Sequence, residues 1–162
     1  MHCKSMFPFN SVRALVACTL TLLSAAFTCQ ASAGDLEDFK QSIRTKYDMK
    51  ELAFANNDVE PILTRFYSSD VISTGPDGST HVGIEELRPI YNEVIAGNVS
   101  IESYNTFVNG DAGWDWVNFH VTPPPAAGEE PFTFKMLFLW ERIDGQWWSH
   151  GEMYVMGEFA ID

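Results

Sequence analysis

The most constraining feature of the sequence is an Asp144-Gly145 pair between two runs rich in aromatic and aliphatic residues. Because glycine adopts positive φ without a steric penalty, such a pair predicts a tight turn between antiparallel strands. The flanking runs, at 132–143 and 146–159, are therefore predicted to form a β-hairpin. Within each strand, side chains two residues apart share one face of the sheet.

The N-terminal segment has the pattern of a secretory signal peptide. Lys4 and Arg13 form a basic start, residues 14–27 are uncharged and mostly apolar, and an Ala-Ser-Ala sequence ends at Ala33. The apolar run is too short to span a bilayer, so cleavage is predicted between Ala33 and Gly34. The predicted product is secreted or periplasmic. A short membrane anchor or an unstructured start is the alternative interpretation.

The remaining residues, 34–162, have the size of one domain. All three cysteines precede it, so we expect neither a disulfide nor a thiol nucleophile there. The domain keeps all 22 acidic residues and eight of the ten basic ones, a net charge of −14. Such a charge repels nucleic acid and anionic lipid, and we expect neither as a partner after signal cleavage.

Apolar residues recur at helical spacing in three segments, which begin near Asp35, Asp58 and Gly83. Pro89 lies inside the third segment, and because proline cannot donate to the helical ladder we expect that helix to bend there or to begin later. Strands are predicted at 71–74, 99–108, 113–122 and in the hairpin. Three helices followed by a four-stranded meander, with one short strand between the second and third helices, predict an α+β fold.

Two stretches of sequence, together with this order of elements, point to a known group. Residues 66–71 read Phe-Tyr-Ser-Ser-Asp-Val and lead to Gly-Pro-Asp-Gly at 75–78, and residues 143–147 read Ile-Asp-Gly-Gln-Trp. They resemble the SnoaL-like branch of the nuclear transport factor 2-like superfamily. The resemblance implies a curved antiparallel sheet wrapped around N-terminal helices, a cone with a pocket inside. It implies no particular reaction, because the superfamily includes isomerases, cyclases, dehydratases, epoxide hydrolases and non-catalytic proteins.

The catalytic residues of ketosteroid isomerase, an enzyme of this superfamily, are not found at the matching positions. The place of its carboxylate base is taken by Gly75, and its protonated oxyanion-binding acid corresponds to about Leu139. Its oxyanion-binding tyrosine falls near Lys50, with Tyr47 about one turn away. We therefore expect no isomerase chemistry of that kind.

The resemblance also predicts which side chains look into the pocket. The residues it places inward are Trp114, Trp116, Asn118 and His120 on one strand and Trp148, His150, Glu152 and Tyr154 on the last. A two-residue turn pairs Ile143 with Gln146, which sets Leu139 opposite His150 and Lys135 opposite Tyr154.

Hydrophobicity alone favours the opposite faces as the core. Those faces carry Val117, Phe119 and Val121, then Phe134, Met136, Phe138 and Trp140, and finally Ser149, Gly151, Met153 and Val155. We follow the resemblance, because members of the superfamily often dimerise through the outer face of the sheet, and such a face must be apolar. A homodimer through that face is therefore expected. In a monomer the two faces would be exchanged.

His150 and Glu152 are the main candidates for catalysis, since side chains two apart on a strand rise about 6–7 Å from each other on one face. Glu152 could tune the imidazole for acid–base chemistry, and His120 could join them. A hydrogen-bonded polar pair at a pocket rim or dimer contact is the alternative. No metal-binding spacing is otherwise visible, and we predict neither a metal nor a cofactor.

A small apolar or aromatic molecule is the predicted ligand, since aromatic residues are abundant in the pocket. The residues expected to contact it are Trp116, Asn118, Trp148, Tyr154, Tyr67 and Leu139. Three functions remain open. They are ligand binding without catalysis, a lyase, isomerase or hydrolase that uses the His/Glu pair, and a structural or partner-binding module whose pocket is filled by side chains.

Overall fold

The structure is a computed structural model that describes residues 33–161. The predicted signal peptide up to residue 32, with its three cysteines, lies outside the described residues. The described elements are α1 (Ala33–Ala55), α2 (Glu60–Arg65), β1 (Tyr67–Thr74), β2 (Thr80–Val82), α3 (Ile84–Val94), β3 (Asn98–Asn109), β4 (Ala112–Thr122), a 3-10 turn (Pro125–Ala127), β5 (Phe132–Ile143) and β6 (Gln146–Met156). None of the helices within residues 33–161 is both long enough and apolar enough to cross a membrane.

The six strands form one curved, open sheet in the order β2-β1-β6-β5-β4-β3, with the helices packed against it. The pairs from β3 to β6 are antiparallel hairpin neighbours, whereas β1 lies parallel to β6. The predicted α+β class and the predicted meander are confirmed. Sequence periodicity missed β2 and placed the start of β1 four residues too late, at Val71 instead of Tyr67.

The buried stripe of α1 follows the predicted spacing. Phe39, Ile43 and Tyr47 recur every four residues, and each is 1% exposed or less. Burying each of these large side chains contributes about 1.5–3 kcal/mol to the stability of the fold. Lys50, one turn after Tyr47, continues the same stripe and is also fully buried. The helical spacing of α1 therefore places the charged Lys50 side chain in the protein interior.

The third helix differs from the expectation for its proline. It begins at Ile84 and continues past Pro89 to Val94, so the proline neither delays nor ends the helix. Pro89 is exposed and forgoes one main-chain hydrogen bond, whereas Leu87 and Tyr91 are buried on the opposite side. The buried contacts of α3 outweigh the missing hydrogen bond.

The apolar side of the sheet faces the helices, and this corrects the predicted orientation of β4 and β5. The inward residues there are Val117, Phe119, Met136, Phe138 and Trp140, all 6% exposed or less. Trp114, Trp116 and Leu139 instead lie on the outer side and are 38%, 36% and 45% exposed. Hydrophobicity was the better guide, because removing apolar surface from water is the main force that selects the inner face.

A β-bulge at His150 changes the register of the predicted hairpin. Ile143 pairs with Gln146 as expected, but Trp140 pairs with Ser149 and Leu139 with Gly151, so His150 has no partner on β5. Leu139 is therefore not opposite His150. The same shift sets Lys135 opposite Val155 rather than Tyr154.

The bulge also divides the predicted inward face of β6. Before it Trp147 and Ser149 are buried, and after it Glu152 is buried and Tyr154 packs against the core. One extra residue in a strand reverses the alternation of every side chain that follows. Half of the predicted face is therefore inside and half outside.

Candidate functional site

A cavity of about 180 Å³ lies between α1, α3 and the inner face of the sheet. Apolar side chains from these elements form most of its wall, among them Phe54, Leu87, Val99, Phe119, Val121 and Met136. Its polar lining residues are Ser73, Tyr91, Glu152 and Tyr154. Apolar walls with a few converging polar groups are typical of small-molecule sites. Three larger grooves, of about 820, 780 and 240 Å³, lie elsewhere on the described surface, but none is lined by a buried carboxylate.

Glu152 lies next to Ser73 at this cavity because β6 runs parallel to β1. Ser73 pairs directly with Glu152 in the register of the two strands, and the Ser73 hydroxyl donates to Glu152 Oε1 at 2.8 Å. Both residues are buried, with 4% and 7% of their surface exposed. The strand pairing thus sets one oxygen of the carboxylate beside the cavity.

The other carboxylate oxygen belongs to a network centred on Tyr67. The Tyr67 hydroxyl donates to Glu152 Oε2 at 2.5 Å and accepts from Lys50 Nζ at 2.7 Å. The Tyr91 hydroxyl oxygen lies 2.5 Å from the Tyr67 hydroxyl oxygen. Lys50 Nζ is 3.9 Å from Glu152 Oε2, so a buried ion pair is bridged by a phenol.

Lys50 is surrounded by aromatic rings. Its ammonium nitrogen lies 4.2–5.5 Å from the centroids of Phe66, Tyr67, Phe138, Tyr91 and Phe119. Ring faces attract a cation and replace part of the lost hydration. Burial nevertheless lowers the pKa of Lys50 from its ordinary 10.5 to about 8, and the charge of Glu152 offsets only part of that shift.

The phenols of this network stay protonated far into the alkaline range. Burial raises the pKa of Tyr67 and of Tyr91 well above the usual 10, and the negative charge of Glu152 raises both further. Burial and the same carboxylate also raise the pKa of Tyr154. Glu152 is therefore the acceptor at the centre of a set of protonated hydroxyls.

Asp115, which lies between the outward-facing Trp114 and Trp116 on β4, is a second buried carboxylate. It accepts hydrogen bonds from Tyr47, Ser103 and Thr106 at 2.6–2.9 Å, and burial raises its pKa. The residue does not line the cavity. Its three donors tie α1 to β3 and β4, which is a structural role.

Comparison with known proteins defines the family. The family model of the SnoaL-like domain matches residues 48–150, more than half of the chain. The chain belongs to the SnoaL-like family. No curated protein matches it.

Solved structures with the same fold are numerous and distant in sequence. A protein of unknown function from Mycobacterium tuberculosis is 20% identical with a TM-score of 0.67, covering 79% of this chain and 78% of that one. A protein with a cystatin-like fold from Nostoc punctiforme is 16% identical with a TM-score of 0.63, covering 80% and 81%. A ketosteroid isomerase-like protein from Erwinia carotovora atroseptica is 20% identical with a TM-score of 0.60, covering 74% and 96%. At such identities the likeness shows the shared fold alone.

The SnoaL-like domain does not bring His150 and Glu152 together. Because His150 occupies the bulge, its Nδ1 lies 3.3 Å from Ser68 Oγ and 3.6 Å from carboxylates of Asp70 and Glu141. Glu152 binds the interior network instead. The predicted acid–base pair is thus split between two sides of the sheet.

His120, the third catalytic candidate, lies on the outer side of β4. Its Nδ1 is 2.9 Å from Thr133 Oγ1, and its Nε2 is 3.8 Å from Glu102. It does not line the cavity. Within residues 33–161 no group of three His, Asp or Glu side chains is arranged to hold a metal ion.

Asn118 and Trp116, predicted to contact the ligand, instead hold the C-terminal segment against the outer face. The Asn118 amide donates to the Phe159 carbonyl at 3.0 Å and accepts from the Phe159 N–H at 2.7 Å. The Phe159 ring stacks on Tyr104 at 4.5 Å and meets Trp116 edge-on at 5.8 Å. A side-chain amide here takes the place of a neighbouring strand.

Of the other predicted ligand contacts, only two belong to the interior site. Tyr154 lines the cavity and Tyr67 supports its polar end, whereas Leu139 is exposed on the outer face. Trp148 lies at a surface groove, with Lys46 Nζ 4.4 Å from its ring. Neither Leu139 nor Trp148 approaches the cavity.

Three residues of the site were missed from the sequence. Lys50 and Tyr91 lie at helical spacing with buried apolar neighbours, so periodicity contained a signal for both. Ser73 has no such signal, since its role depends on the parallel pairing of β1 with β6.

Proposed function

We propose that this SnoaL-like domain binds a small, largely apolar molecule of about one ring in its interior cavity. The observation that carries the proposal is an apolar cavity of about 180 Å³ that ends in Ser73, Tyr91 and Glu152. Cavities of roughly this size take up benzene. The volume argues against ligands of three or more fused rings, which a larger cone would admit.

A matched pair of cavity variants tests this proposal. Val121→Phe adds a ring to the cavity wall, whereas Val155→Phe adds the same atoms to the exposed outer face. Titration calorimetry with single-ring probes such as toluene, phenol and cyclohexanol is expected to detect binding to the wild type. Val121→Phe should weaken it at least about tenfold and Val155→Phe should not, because occupied space excludes the ligand. Equal weakening by both variants, or no binding by any probe, would contradict the proposal.

A second candidate function is catalysis by Glu152 as a general base, in an enzyme of the lyase, isomerase or hydrolase type. The observation that favours it is a buried carboxylate at the end of an apolar cavity, whose Oε1 accepts from Ser73 and has a further lone pair for a substrate proton. Without His150 beside it, Glu152 takes the role that was predicted for the pair. The hydroxyls of Tyr67 and Ser73 orient it.

The model substrate benzisoxazole reports such a base without knowledge of the natural substrate. Glu152 would take the proton from the ring carbon, the N–O bond would break, and 2-cyanophenolate would be released. We expect turnover above the rate in buffer that is lost in Glu152→Gln and kept in Glu102→Gln, an exposed acid on β3. Turnover that survives Glu152→Gln would assign the base elsewhere.

We further propose a homodimer through the outer face of the sheet. Exposed apolar residues concentrate on this outer apolar face, which comprises Phe107, Trp114, Trp116, Leu139, Met153 and Val155. Contiguous exposed apolar patches are rare on monomers and mark interaction surfaces. A second copy is the occupant that we propose, because the chain carries a net charge of −12 and two copies can approach best through a surface poor in acidic groups.

Export is proposed on the sequence pattern of the N-terminus. Cleavage between Ala33 and Gly34 would remove only the first residue of α1 and leave the rest of the described chain intact. Intact mass measurement of the protein recovered from a secreting bacterial host should give a chain that begins at Gly34. A chain recovered in the cytoplasm with Met1 retained would contradict export.

A further inference from the structure

The hydroxyl groups around Glu152 at the inner end of the cavity already donate their protons to other groups of the protein. The Tyr67 oxygen has three polar neighbours, Lys50, Glu152 and Tyr91, and the hydroxyl has one proton. An ammonium group can only donate and a carboxylate can only accept, so the Tyr67 proton goes to Glu152. Tyr91 must then donate to Tyr67, which leaves only lone pairs on the Tyr91 oxygen.

The same count applies to Ser73 and Glu152. The Ser73 proton is donated to Glu152 Oε1, so the Ser73 oxygen offers lone pairs and no proton. Glu152 Oε1 has room for another donor besides Ser73. Of the four polar residues that line the cavity, Ser73, Tyr91 and Glu152 therefore accept hydrogen bonds and have no proton left to donate. The fourth, Tyr154, keeps its proton, but its hydroxyl lies towards the Gly75 turn, where a Cβ atom at Gly75 would be 3.3 Å away.

The charge at this end of the cavity is balanced. Lys50 and Glu152 have opposite charges 3.9 Å apart, and both side chains are at least 95% buried. A charged ligand would add an unpaired charge beside them in an apolar enclosure, which is costly. An uncharged ligand avoids that cost.

We propose that the cavity selects uncharged molecules that carry an O–H or N–H donor and discriminates against carbonyl compounds of the same shape. This inference rests on the proposed binding function and specifies its ligand class. A donor on the ligand can bond to Glu152 Oε1, whereas a carbonyl oxygen in the same place faces only acceptors. Hydrogen bonds to a charged group and unmatched buried acceptors each change affinity by about one order of magnitude or more.

The test is the near-isosteric pair cyclohexanol and cyclohexanone, titrated at pH 7 into the wild-type protein by calorimetry. We expect cyclohexanol to bind about 10- to 100-fold more tightly than cyclohexanone. Equal affinities, or tighter binding of the ketone, would overturn the inference and leave the proposed binding function standing. Binding of neither compound, nor of toluene, would overturn both.

The variant Glu152→Gln tests independently whether Glu152 causes the preference for cyclohexanol over cyclohexanone. The amide N–H₂ of glutamine supplies the donor that the carboxylate lacks, so the preference for the alcohol should fall at least about tenfold. Glu102→Gln, on the outer side of the sheet, should keep the wild-type preference. Circular dichroism verifies the folding of each variant. If Glu152→Gln does not fold, the comparison of cyclohexanol with cyclohexanone in the wild-type protein still decides the question. An unchanged preference in folded Glu152→Gln would also overturn the inference.

Discussion

The ammonium group of Lys50 is held in the interior by a hydroxyl, a carboxylate and aromatic ring faces. A lysine in such a place loses hydration that these partners replace only in part, as its lowered pKa records. Burying the charged form lowers the free energy of unfolding at any pH where Lys50 is protonated in both the folded and the unfolded protein. This effect disappears at a pH where both have released the proton.

Stability should therefore rise with pH across the alkaline window of Lys50. Its pKa is about 8 in the folded protein against 10.5 ordinarily, so between these values the unfolded chain binds more protons and the free energy of unfolding increases. From pH 7 to pH 9.5 the gain is about 2 kcal/mol. Urea unfolding at both pH values should show it in the wild type and in Lys40→Met, an exposed control on α1, and not in Lys50→Met.

The rise in stability with pH should end below pH 10, because above that pH the ionisation of Tyr67 and Tyr91 in the unfolded chain lowers the free energy of unfolding. Their pKa values are raised in the folded protein, so stability is lost once the unfolded tyrosines ionise. A pH slope that is the same in wild type and Lys50→Met would contradict the assignment to Lys50.

Tyr67→Phe should be among the most damaging single-atom deletions in the protein. It removes the hydroxyl that joins Lys50, Glu152 and Tyr91, and leaves each of them buried with one partner fewer. We expect a loss of about 2–4 kcal/mol in the free energy of unfolding. Tyr104→Phe, on a half-exposed ring, should change it by less than about 0.5 kcal/mol in the same urea titration. A Tyr67→Phe protein as stable as the wild type would show that the network does not stabilise the fold.

At the scale of elements, the close approach of α1 to the sheet depends on Gly113 in β4. A Cβ atom at this position would lie 2.8 Å from the Phe107 carbonyl oxygen and 2.8 Å from the Phe39 ring. Neither neighbour can move freely, since Phe107 O is main chain and the Phe39 ring is buried under α1 and packs on Trp147. The missing side chain allows the first turns of α1 to contact the strands.

Gly113→Ala should lower the free energy of unfolding by about 1–3 kcal/mol, because it overpacks this contact. Gly151→Ala is the matched control on the neighbouring part of the sheet. Its added methyl would meet mainly the end of the Leu139 side chain at 3.3 Å, and that side chain is 45% exposed and can move. Thermal unfolding of both variants should separate them by several degrees. Equal effects would mean that the helix adjusts to the methyl group.

At the scale of the whole molecule, both sides of the sheet are rich in apolar residues. The inner side forms the core, and the outer apolar face stays exposed next to the docked C-terminal segment. A chain with a strong net negative charge gains most from association where acidic groups are few. The proposed dimer follows from this distribution.

Leu139→Lys and Met153→Lys should convert the dimer to a monomer, since each puts a charge at the centre of the outer apolar face. Leu52→Lys is the control, because Leu52 is 61% exposed but belongs to α1, away from that face. Sedimentation equilibrium of the wild type and Leu52→Lys should give twice the monomer mass. A monomeric wild type at high micromolar concentration would contradict the dimer and would leave the cavity proposal untouched.

The local features of this protein can be predicted from its sequence. The Asp144-Gly145 turn, with φ of 51° and 78°, the buried stripe of α1 and the α+β order all follow from turn chemistry and periodicity within a few residues. The hydrophobic pattern also identified the inner face of β4 and β5, although the resemblance argued against it.

The residues of the cavity site, by contrast, come together through contacts between strands that are far apart in the sequence. Alternation assigns every residue of a strand to a face in turn, and it has no means to anticipate the bulge at His150, where β1 and β5 both change register against β6. That bulge sends His150 outward and Glu152 inward. Glu152 then meets Tyr67, 85 residues earlier, and through it Lys50, and such contacts exist only once distant strands have paired.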